Sequence, residues 1–116
     1  MIEEIQTISD QMQQVPDDLG QQVNYLQNLC NLKWAISDIF PKVKMMYNEK
    51  YAEVSEQVIN EYADKKVAIS LLTGMIKAGC KTEQQLVDMC DRINSTINLH
   101  SQNLRTIISF KKYGTP

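Results

Sequence analysis

The most regular hydrophobic pattern lies near the C-terminal end of the chain. Leu86, Cys90, Ile93, Ile97, His100, Leu104 and Ile107 recur at spacings of 4, 3, 4, 3, 4 and 3, flanked by Val87 and Ile108. This heptad-like seam predicts a helix over 83–112 that packs closely along one line. Its partner is either the segment 42–78, as an antiparallel hairpin, or another subunit. Just upstream, Gly79 is placed as a left-handed helix stop. Thr82-Glu83-Gln84-Gln85 matches the S/T-x-x-E/Q capping box, which opens the final helix.

The earlier chain is also helical in period. Ile2, Ile5, Ile8 and Met12 share one face, predicting a short helix within residues 1–15. Pro16-Asp17-Asp18 reads as the first turn of a second helix, over 17–40, with its acids at the positive end of the dipole. That helix carries two adjacent stripes: Leu19, Val23, Leu26 and Cys30, then Tyr25, Leu29, Leu32, Ile36 and Ile39. Two stripes predict burial on more than one side, with Trp34 extending the first of them into the core. Pro41 disfavours helix at Phe40 and ends or kinks the element.

Residues 42–78 carry Val43, Tyr47, Tyr51, Val54 and Val58, then Ala68, Leu71, Leu72, Met75 and Ile76. Between these stripes, 60–66 is polar. Either one long helix crosses it or two helices meet at a loop, and the lack of strong turn residues favours the long helix. The pattern as a whole predicts an all-α chain. It reads as a long helical hairpin or small helical bundle in a single domain, 1–116, and oligomeric.

Composition supports this reading. The chain has 116 residues with only 4 Gly and 3 Pro, too few turn-formers for a small all-β fold. The N-terminus is acidic where a signal peptide would be basic, and no apolar run approaches a membrane span. Three cysteines without paired spacing (Cys30, Cys80, Cys90) predict a reducing compartment, hence the cytoplasm.

The net charge of −2 is unevenly spread. Residues 1–40 hold six acids and one base, whereas eleven of the twelve bases follow residue 40. The cations near the C-terminus suit the negative end of a final helix; a polyanion-facing end is the sharper alternative.

Little here points to chemistry. No Gly-rich phosphate loop, G-x-S-x-G, H-E-x-x-H or paired-carboxylate constellation occurs, so neither a catalytic residue nor a cofactor is expected. Cys80, Cys90 and His100 are spaced ten apart. Ten helical residues fall about 80° short of three turns, so a metal site is not expected. His100 sits on the seam, where a polar group fixes register. Asn94-Ser95-Thr96 fits the glycosylation sequon, but in a helix it reads as a false positive.

The segment from Lys42 to Tyr51 interleaves Lys42, Lys44 and Lys50 with Tyr47 and Tyr51, as single-strand binders do. Packing of both tyrosines in the core is the simpler reading, because they also lie on the apolar stripe.

From Lys33-Trp34 onward the chain resembles the small phage recombination mediators of the UvsY type. The features that carry the resemblance are Lys33-Trp34, Ala63-Asp64-Lys65-Lys66-Val67 and Asn103-Leu104-Arg105-Thr106-Ile107-Ile108-Ser109. It implies a helical oligomer that binds single-stranded DNA and helps load a recombinase. Lys42, Lys44, Tyr47, Lys50, Arg105, Lys111 and Lys112 are then the nucleic-acid contacts. The acidic first 40 residues favour the alternative, a protein-only module such as an adaptor, an inhibitor or a virion or assembly component.

Overall fold

A computed structural model describes residues 1–12 and 15–113. Among them are four helices and no strand: α1 (Ile2–Gln11), α2 (Leu19–Tyr62), α3 (Ile69–Gly79) and α4 (Lys81–Tyr113). The all-α class follows the helical period of the apolar residues. The chain divides into two compact units, Met1–Ile39 with Met89–Pro116, and Phe40–Asp88.

In the first unit α1, residues 19–39 of α2 and the later part of α4 enclose a core of Ile and Leu. Ile5, Leu29, Ile36, Cys90, Ile97 and Leu104 are almost completely buried. Three polar ties set the register of α2 on α4. Tyr25 Oη lies 3.3 Å from His100 Nδ1, Lys33 Nζ donates to Asn94 Oδ1, and Lys111 Nζ donates to Gln22 Oε1 at 3.0 Å. Partner numbers fall along α4 as they rise along α2, so these stretches pair antiparallel, and the ties of the last helix run to the first half of α2 and not to the 42–78 segment that the sequence suggested. Gln22 is buried but satisfied, since its Nε2 also donates to Pro16 O at 2.7 Å.

The second unit holds residues 40–62 of α2, all of α3 and the first residues of α4. Its core joins Val54, Ile76 and Cys80, with Tyr47 and Val58 packed against them.

Several boundaries differ from the sequence reading, each for a physical reason. α1 stops at Gln11 rather than near 15. α2 begins at Leu19, and Asp18 precedes it as a cap, its Oδ2 accepting from Gln21 N at 3.2 Å. Pro41 neither ends nor divides α2. An interior proline costs about 3 kcal/mol, yet Ile39 and Val43, buried on either side of it, hold the helix together.

The expected helix over 42–78 is two helices, parted at 63–68. That stretch has little apolar surface to bury, and helical hydrogen bonds alone do not sustain a helix in water. The 63–67 motif, expected in a middle helix, therefore lies between α2 and α3.

Thr82 does not open the last helix. Gln84 N already bonds to Cys80 O at 2.9 Å, so the chain is helical from Lys81 and Thr82 sits inside it, exposed. Gly79 is the last residue of α3 and has no left-handed backbone. A Cβ there would meet Val54 Cγ1 at 2.7 Å and Cγ2 at 3.2 Å, so glycine allows α3 to approach α2 closely. Gly79→Ala should cost about 1–3 kcal/mol by overpacking. That cost should shrink in a Val54→Ala background, because the two residues share one contact. Urea unfolding of the four chains checks this; equal costs in both backgrounds would rule the contact out.

Candidate functional site

The seam comes first, since its burial decides what the chain offers a partner. Leu86, Cys90, Ile93, Ile97 and Leu104 are buried within a single chain, His100 is half-buried, and Ile107 is 37 % exposed. From Leu86 to Leu104 the apolar positions of the seam are thus covered within one chain. His100 shares the polar pair with Tyr25, its ring 6.3 Å away. Burial pushes the Cys80 and Cys90 thiols up, so neither is primed as a nucleophile. Among the described residues no three His, Cys, Asp or Glu side chains gather to hold a metal ion. Among them, too, no helix is long and apolar enough to cross a membrane.

The cations expected on nucleic acid are treated differently from one another. In the second unit Lys42 and Lys44 are exposed, while Lys50 is half-buried with its charge near the Cys80 thiol. Two residues on a helix are about 200° apart, so Lys42 and Lys44 leave α2 on nearly opposite sides. Lys44 belongs to a stripe with Phe40, Tyr47 and Tyr51. Its Nζ sits 4.4 Å from the Phe40 ring centroid, and the Tyr47 and Tyr51 rings are 6.0 Å apart at 40°. Tyr47 also packs on the core, as the simpler sequence reading held, but Tyr51 keeps 37 % of its surface in solvent.

In the first unit Lys111 is spent on structure, donating to Gln22 Oε1 and Asp17 O at the start of α2. Lys112 and Arg105 are exposed. Arg105 borders a groove of about 420 Å³ between α2 and α4, with Lys33, Trp34, Asn98, Ser101 and Gln102. The sequence reading missed this groove because it placed Trp34 in the core. Only the Tyr25–Leu29–Leu32–Ile36–Ile39 stripe is buried; on the other, Val23 is 40 % and Trp34 79 % exposed. Two adjacent stripes on one helix do not reveal which of them the neighbouring helices will cover.

No family model, curated protein or solved structure matches the chain.

Proposed function

We propose that this chain is a non-catalytic accessory protein that binds single-stranded DNA and works beside a recombinase. The observation that supports this best is the Phe40–Lys44–Tyr47–Tyr51 stripe on α2, where the exposed Tyr51 lies beside Tyr47 and the exposed Lys44 lies over Phe40. Aromatic faces stack any base, and lysine neutralises phosphate, so such a stripe binds unpaired strands with little sequence preference. The resemblance to recombination mediators points the same way.

Tyr51→Ala should weaken binding of a fluorescent oligothymidylate about tenfold, within the range measured for loss of one base–aromatic stack. Lys44→Ala should weaken it less and for all sequences alike. Tyr51 is exposed enough to be replaced without loss of fold, which circular dichroism verifies. If the unmodified protein fails to bind the oligomer at low salt, the proposal falls. A protein-only module is the second reading, favoured by Ile59, Ile69 and Leu71, which are 56, 81 and 54 % exposed in the second unit.

A further inference from the structure

The groove beside Trp34 lies in the first unit, apart from the α2 stripe and outside the residues assigned above except Arg105. Its composition is unusual for a helix surface. Trp34, the single tryptophan of the chain, is 79 % exposed on its rim. Two cations border it, Lys33 and Arg105, and no acid lines it. The opposite wall, from α4, presents Asn98, Ser101 and Gln102, whose amides and hydroxyl both donate and accept hydrogen bonds. Its volume of about 420 Å³ falls in the range of small-ligand clefts, about 300–1,000 Å³.

This chemistry suits one class of occupant. An amphipathic partner helix buries several apolar anchors in a row, whereas of the groove's apolar residues only Trp34 and Cys30 are exposed. Ile97 lines it but is only 1 % exposed, so it gives an anchor almost no surface. A flat, polar-edged ring carrying a phosphate finds every partner it needs: an indole face to stack on, amides for its edge, and cations for its charge. Lys33 Nζ already donates to Asn94 Oδ1, so Arg105 is the principal phosphate ligand. Its guanidinium stays charged at any working pH and can hold two phosphate oxygens together.

We propose that the Trp34 groove is a nucleotide subsite, in which Trp34 stacks an unpaired base while Arg105, with Lys33, holds the adjoining phosphate. The assignment rests on the single-strand reading above but names a different place on the chain. Trp34 packs nothing essential, and its exposure makes it replaceable.

The sole tryptophan makes the test direct, because all indole emission comes from this groove. The unmodified protein is titrated at low salt with an oligothymidylate of about a dozen nucleotides, long enough for a typical single-strand site. Anisotropy of a label on the oligomer follows total binding while Trp34 emission follows the groove. Emission should be quenched in step with the anisotropy. Trp34→Ala should weaken binding about tenfold, Trp34→Phe should keep most of the affinity, and Arg105→Ala should weaken it several-fold. Polyglutamate at equal charge should leave the emission unchanged.

If the oligomer binds but Trp34 emission does not move and Trp34→Ala binds normally, the groove assignment is overturned while the single-strand reading stands. Quenching by polyglutamate as strong as by the oligomer would overturn it in favour of an acidic protein segment. No binding of the oligomer at all would overturn both.

Discussion

Ile97→Asp should unfold the first unit of the chain and not yield a well-folded monomer. Ile97 is 1 % exposed and lies on the α4 seam, with Ile93 and Leu104 buried along the same line. A carboxylate there would have to leave the core for the groove that Lys33 and Arg105 border, and drawing a fully buried side chain out of the seam is among the few substitutions that cost more than about 4 kcal/mol. Domains of this size are stable by only about 5–15 kcal/mol, so a loss of more than about 4 kcal/mol removes most of the margin at the lower end of the range. The measurement is far-UV circular dichroism together with native mass. Loss of helical signal is expected. A fully helical Ile97→Asp monomer derived from an oligomeric parent would show instead that the seam joins separate chains.

The sequence made the helical class and the line of the core legible because both depend on period alone. The seam from Leu86 to Leu104 and the stripe from Tyr25 to Ile39 are buried as their spacing implies. Signals that depend on a few local residues fared worse. The Thr82 capping box did not open α4, Pro41 did not end α2, and Gly79 ends α3 without the left-handed backbone expected of it, where close packing on Val54 requires a glycine. At 63–68 the opposite happened, since without apolar surface nothing held a helix that propensity allowed.

The candidate site was only partly legible. A basic residue's position in sequence does not say whether it will be tied to another part of the chain, as Lys111 is to Gln22, or left to solvent, as Arg105 is. Trp34 was hidden for a related reason. It lies on the α2 stripe that its neighbours leave uncovered, and that choice is made by tertiary packing.

Single-strand binding should fall steeply with salt, and this is the effect most specific to the proposed function. Of the six cations expected on nucleic acid all but the half-buried Lys50 are exposed, and Lys111 is also bonded to Gln22. Each phosphate contact on a single strand releases counterions and contributes about 0.7 to the log–log salt slope. Two to three contacts give a slope between about −1.4 and −2.1, so a tenfold rise in salt should lower affinity about 25- to 130-fold. A stacking contribution would persist at high salt as a smaller residual affinity, since it does not depend on counterions. The measurement is anisotropy of a labelled oligothymidylate across salt from about 50 to 500 mM, a range in which phosphate contacts dominate the change. A slope in that interval is the predicted result; no binding at the lowest salt, or an affinity indifferent to salt, would contradict the account.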